Sequence, residues 1–223
     1  MIHLEAVTKV FQSGRGKVIA LSEVSVSIEA HRFTAIIGKS GSGKSTLLNC
    51  IGGFEPPNEG KITCFGTSIY SLSTRGLSLF QRHHMGFVFQ RGNLISYLTV
   101  AENIGLPLTL NSVEGSHQSK RINELLDRIG LANAAKALPH ELSSGETQRV
   151  AIARAIAHNP KILLADEPTA NLDTETGQAT VQLMRDMGRD HGCTIVMATH
   201  DTEITETADS LIYLKDGRIR GVK

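Results

Sequence analysis

The sequence predicts an α/β fold: a mostly parallel sheet with helices between its strands, a small antiparallel β flank at the start and a helical insertion in the middle. Three observations carry that prediction. Short apolar runs recur at 33–37, 86–89, 162–165, 194–198 and 211–214, and most are continuous rather than alternating, as in strands buried on both faces. Helical stretches lie between them: 145–158 holds Val150, Ile152, Ala153 and Ile156 on roughly one side and stops before Pro160, and 175–189 shows a similar stripe. Strand and helix in alternation build an α/β sheet. Residues 1–29 alternate instead, with Val24, Val26 and Ile28 on one face, the pattern of one-sided antiparallel strands.

The stretch 91–139 lacks strong strand signals. Ile122, Leu125, Leu126 and Ile129 recur there at helical spacing, preceded by a polar piece, 111–119, that reads as weakly structured. With 223 residues, one large domain is the economical expectation: a single domain over 1–223, its sheet core and β flank drawn from 1–90 and 160–223, and a helical subdomain at 91–159.

Composition narrows the function classes. Hydrophobic residues at 40% and charged residues at 20% exclude a disordered chain. The 23 basic and 22 acidic side chains nearly cancel, so no broad field draws the protein onto nucleic acid or anionic lipid. Cys50, Cys64 and Cys193 lack the close spacing of a zinc or redox motif and read as reduced, buried small hydrophobes. No apolar run approaches the ~20 residues that span a bilayer, and no export signal is apparent. A cytoplasmic protein is expected, without direct membrane insertion, reaching a membrane only through a protein partner.

Gly38, Lys39, Ser40, Gly41, Ser42, Gly43, Lys44 and Ser45 match the phosphate-binding loop in full, between an apolar run and a helical run that starts at Thr46. Glycines let the backbone turn its N–H groups onto phosphate oxygens, and the following helix adds its positive end. Lys44 would reach the β and γ phosphates of a nucleoside triphosphate and Ser45 would hold Mg²⁺. The run 162–165 ends in Asp166 and Glu167, as when a strand tip faces nucleotide at the carboxyl edge of a parallel sheet. Asp166 would enter the Mg²⁺ shell, and Glu167 would polarise the attacking water as general base.

Leu142, Ser143, Ser144, Gly145 and Glu146, followed by Gln148 and Arg149, resemble the signature motif of ABC ATPases, and lie just upstream of the paired acids as in that family. The resemblance covers nearly the whole chain and implies a P-loop NTPase (RecA-like) core with an inserted helical signature subdomain. By the same resemblance Gln90 is the Q-loop residue that senses Mg²⁺ and water, Asp173 belongs to the D-loop, His200 is the switch histidine, and Phe11 stacks on adenine. The family hydrolyses ATP with Mg²⁺ in a head-to-tail homodimer, the signature of one subunit closing over nucleotide held by the other. Ser143 and Glu146 also fit the S-x-x-E capping box, which places a helix amino end here. One departure stands out: Ser144 occupies the usual place of the first signature glycine, where a side chain can crowd the phosphate.

Within the family, 86–90, Asn93-Leu94-Ile95 and 98–108 resemble the group of lipoprotein-release and macrolide-export ATPases, the LolD/MacB group. That resemblance implies a separate permease, docked on the segment after Gln90 with Tyr97 and Leu98 as contacts, and a cargo of lipoprotein, macrolide, peptide or haem type. The related cell-division ATPase FtsE supplies the alternative, a regulatory cassette on a non-transporting membrane partner. A small-molecule kinase needs neither the motif at 142–146 nor His200, and a DNA-repair cassette generally carries long coiled-coil insertions that are missing here.

Overall fold

The computed structural model describes residues 1–14, 16–201 and 203–223, which form two compact units, Met1–Gln81 with Thr194–Lys223, and Arg82–Cys193. In the first unit, β1 (Ile2–Ser13) and β2 (Gly16–Ile28) form the expected antiparallel flank, with Ile2 opposite Ile28 and Phe11 opposite Val18. Two strands that the sequence pattern did not announce extend it. Strand β4 (Glu59–Cys64) pairs with β1, Ile2 opposite Cys64, and β5 (Thr67–Ser68) pairs with β4. Only Ile62 and Cys64 of β4 are buried, too few for a periodic signal.

The same unit holds a parallel group. Strand β3 (Phe33–Ile37) lies between β8 (Thr194–Thr199) and β9 (Ser210–Lys215), parallel to each, and β10 (Arg218–Val222) closes the edge antiparallel to β9. Every residue of β3 and β8 is buried, as their continuous apolar runs predict. Helix α1 (Lys44–Ile51) packs against β8. Helix α2 (Thr74–His84) has no buried residue, which explains why no apolar stripe marks it.

In the second unit β6 (Met85–Val88) runs parallel to β7 (Ile162–Asp166). Between them come α3 (Val100–Leu110), α4 (Gly115–Arg128) and α5 (Ser144–Ile156), and α6 (Thr174–Asp190) follows β7. Helix α5 is buried on more than the one side its stripe suggested, Ala151 and Ala155 joining Val150, Ile152, Ala153 and Ile156 in the core. It packs against α3, α6 and β6. Half of the stretch read as weakly structured is helix: α4 opens at Gly115, but buries only Leu125 and Leu126. The three cysteines are buried, and burial pushes their thiols up, Cys50 to about 11 and Cys64 and Cys193 to about 12.

Candidate functional site

Strand register decides which motifs share an edge. In the first unit Ile37 of β3 stands opposite Thr199 of β8. Gly38 and His200 therefore leave adjacent parallel strands, about 4.8 Å apart, at the same carboxyl edge. Beyond Gly38 the loop folds on itself: Ser42 N–H donates to the Lys39 carbonyl at 3.1 Å. Lys44 Nζ donates to the carbonyls of Gly38 at 2.8 Å and Lys39 at 3.2 Å. Ser45 and Thr46 follow in the first turn of α1, which carries no side-chain cap and no acidic residue there; its leading N–H groups are the natural donors to an anion.

Two further observations test whether that loop fits a phosphate group. The hydroxyl of Ser42 is buried with no hydrogen-bond partner among the described residues, and Lys44 is only 4% exposed. A Cβ at Gly38 would sit 2.4 Å from the Leu214 carbonyl oxygen and 2.5 Å from Ser42 Oγ. A cation, a buried donor in want of an acceptor and an uncapped helix in a glycine-bounded cradle are the components of a phosphate site. Lys39, Ser40 and Gly41 form its outer rim, where Lys39 and Ser40 are exposed and Gly41 has φ +77°. Phe11 is exposed at the far end of β1, opposite Val18, with Lys9 Nζ 5.0 Å from its ring centroid.

The second unit repeats the device. Val88 of β6 stands opposite Ala165 of β7, so the chain positions that follow bring Gln90 and the pair Asp166–Glu167 to one edge. Glu167 has φ +44°, a left-handed conformation that costs a non-glycine residue energy. Its carbonyl accepts from Ala170 N–H at 3.2 Å, and Asn171 Nδ2 donates to the Gln90 carbonyl at 3.1 Å. Asp173 caps α6, accepting from Thr176 N–H at 3.0 Å, and this backbone hydrogen bond holds its carboxyl below the usual aspartate range.

The amino end of α5 carries a complete capping box. Ser143 Oγ accepts from Glu146 N–H at 3.3 Å, while Glu146 Oε2 accepts from Ser143 N–H at 2.9 Å and Ser143 Oγ at 2.7 Å. Those bonds hold the Glu146 carboxyl below the ordinary glutamate value. Ser144 takes the first helical position and is exposed; Gly145 is buried, and a Cβ on it would meet Thr176 Cγ2 at 2.9 Å. A cleft of about 410 Å³ is lined by Gln90, Arg91, Leu142, Ser144, Thr147, Gln148, Pro168, Asn171 and Leu172.

Four residues that sequence reasoning left without a role hold this region. Gln148 is 3% exposed and its Nε2 donates to the Phe89 carbonyl at 3.1 Å; a polar residue among the apolar positions of α5 was the available signal. Arg154 and Asn171 bond to the loop after β6. Asn103, fully buried, donates to the carbonyls of Ile95, Leu98 and Thr99 at 3.0–3.1 Å and accepts from Ile95 N–H at 2.8 Å. The turn so braced presents Tyr97 at 80% exposure, with Leu98 half-buried.

A phosphate-accepting loop after one parallel strand and an Asp–Glu pair after another define a nucleotide-hydrolysing protein of the phosphate-loop class. The family model described as ABC transporter matches residues 21–170, and the chain belongs to that family. It is an ATPase with ATP and Mg²⁺ as cofactors. A solved dimeric structure of the ATP-binding cassette MJ0796 in a post-hydrolysis state with ADP and Pi, a protein of Methanocaldococcus jannaschii, superposes with a TM-score of 0.92 at 40% identity, over 100% of this chain and 98% of that one. The macrolide export ATP-binding/permease protein MacB of Rhodopirellula baltica is 40% identical over 98% of this chain and 32% of its own length. The methionine import ATP-binding protein MetN 3 of Pectobacterium atrosepticum is 41% identical over 98% and 64%. No helix among the described residues is long and apolar enough to cross a membrane.

Proposed function

We propose that the chain works in the cytoplasm as a homodimeric ATP-hydrolysing subunit beneath a separate membrane permease, powering export or extraction of a lipoprotein, macrolide, peptide or haem-like cargo. The observation that carries the reading is the amino end of α5: a capped, exposed helix terminus with Ser143 and Ser144 outward, in a chain 40% identical to a cassette solved as a dimer with ADP and Pi. Such a terminus suits an anion presented by a second copy. MacB and MetN 3, one named for export and one for import, are equally similar. Export therefore rests on the finer resemblance at 86–108.

Each residue has a role in this reading. Phe11 stacks on adenine, and the amides of 38–46 with Lys44 neutralise the phosphate charge that grows as the bond breaks. Ser45, Gln90 and Asp166 would hold Mg²⁺, which when bound would supply positive charge against the phosphates. Glu167 accepts the proton of the attacking water, and His200 steadies the γ-phosphate. Ser143, Ser144, Gly145 and Glu146 meet the nucleotide of the opposite subunit, with Asp173 beside them. Tyr97 and Leu98, on the turn braced by Asn103, face the permease.

Glu167→Gln tests the chemistry. The variant keeps its carbonyl oxygen and shape but cannot take a proton, so turnover should fall by about 10²–10⁴. ATP binding should persist, and ATP should shift the chain to a dimer on size-exclusion chromatography. Turnover within a few-fold of the parent, with a folded protein, would remove Glu167 from the role of base.

A further inference from the structure

We infer that Arg154 is a positioning residue for Gln90: its guanidinium pins the loop after β6 onto α5, so that Gln90 and the amino end of α5 move as one piece. Arg154 Nη2 donates to the Gly92 carbonyl at 2.7 Å and Nη1 to the Asn93 carbonyl at 2.8 Å. Both residues are left-handed, Gly92 at φ +69° and Asn93 at φ +48°. Glycine takes that conformation freely, while Asn93 does so at a cost. The loop is thus bent twice in succession, and the carbonyls at the bend are gathered by one planar fork of charged donors.

Two other contacts make the same loop part of α5. Gln148 Nε2 holds the Phe89 carbonyl at 3.1 Å, and a Cβ at Gly92 would lie 3.0 Å from Thr147 Cγ2, so the backbone there is already in contact with the helix. Gln90 lies between the anchored Phe89 and the pinned Gly92. Its own carbonyl is taken by Asn171 at 3.1 Å. A displacement of the segment beyond Asn93 is therefore transmitted through Arg154 to α5 and its Ser143 end, instead of being absorbed in a slack loop.

Arg154→Lys removes the fork, since an ammonium is a single point of charge that cannot hold two carbonyls in the same geometry. Steady-state ATP hydrolysis by the full chain should show kcat lowered about tenfold, as expected when a catalytic group is misplaced from a distance, with KM for ATP within about twofold and more Mg²⁺ needed for half-maximal rate. Adding Asn93→Gly, which makes the second bend intrinsically favourable, should recover about a third or more of the lost rate. Asn93→Val, a surface change that opposes the same bend, should lower kcat alone and serves if Arg154→Lys does not fold. Parent-like kcat in the folded variants, or a loss that glycine at 93 does not relieve, overturns the inference. It rests on the Mg²⁺ role given to Gln90, which Gln90→Ala reports separately: intact turnover there overturns that role and the inference with it. An impaired Gln90→Ala beside an intact Arg154→Lys overturns the inference alone.

Discussion

The loop at 38–46 and the helix end at 143–146 are both suited to anions, yet they are built from opposite materials. The loop is backbone work. Its shape is enforced by close approaches at glycines, its lysine is buried and held by its own carbonyls, and the following helix is left uncapped. The helix end is side-chain work, where Ser143 and Glu146 bond each other's side chains and backbone amides at an exposed terminus. A loop that must enclose its ligand has to be pre-shaped and leaves its amides open. An exposed terminus with side chains at hand pairs part of its own donors, because unpaired donors cost free energy.

Four experiments sharpen that contrast, and the largest effect falls on the loop. Gly43 has φ +103°, and a Cβ there would sit 2.4 Å from the Ala20 carbonyl oxygen. Gly43→Ala combines a strained backbone with overpacking and should cost about 2–6 kcal/mol in denaturant unfolding, with ATP binding lost. A variant that still binds ATP at parent affinity would show that the cradle tolerates deformation.

At the helix end the expected effects are smaller. Ser143→Ala removes the cap and should cost about 1 kcal/mol, read as a lowered unfolding midpoint with the loop's ATP binding intact. The pH dependence has a definite sign. The folded-state pKa of Glu146 lies below its ordinary value, so its carboxylate contributes stability that is complete above the unfolded value and disappears as pH falls through the folded one. The difference in Tm between the parent and Glu146→Gln, which keeps the box without the charge, should be widest near neutral pH and close below about pH 4. A gap that stays constant with pH would mean the charge contributes nothing.

The smallest effect belongs to Ser144→Gly. Serine at the first helical position is exposed and lines the cleft beside Gln90, so glycine there should lower stability by about 0.5–1 kcal/mol or less and leave turnover equal or modestly raised. A clear drop in turnover would show that the hydroxyl assists the reaction.

How much of this was legible in the sequence follows from where burial is concentrated. Strands β3 and β8 are buried at every residue and their runs announced them; the capping box at Ser143 and Glu146 was readable because its partners lie three residues apart. Strand β4 was not, since its place is set by pairing with β1 some sixty positions earlier, Ile2 opposite Cys64. Helix α2 was silent because it buries nothing, and the amino half of α4 because its buried leucines come late. In the site, motif spacing named the candidate ligand-facing groups. The residues behind them, Gln148, Arg154, Asn171 and Asn103, act on backbone carbonyls as far as 81 positions away, and main-chain acceptors leave no mark in sequence.

Asn103 carries a consequence of its own. By spending its amide on the carbonyls of Ile95, Leu98 and Thr99, it fixes the outline of a turn independently of the ring at its tip. Tyr97 then stands on a backbone bracket that its own side chain does not hold in place. A substitution at that ring therefore alters the exposed tip while the framework beneath stays untouched.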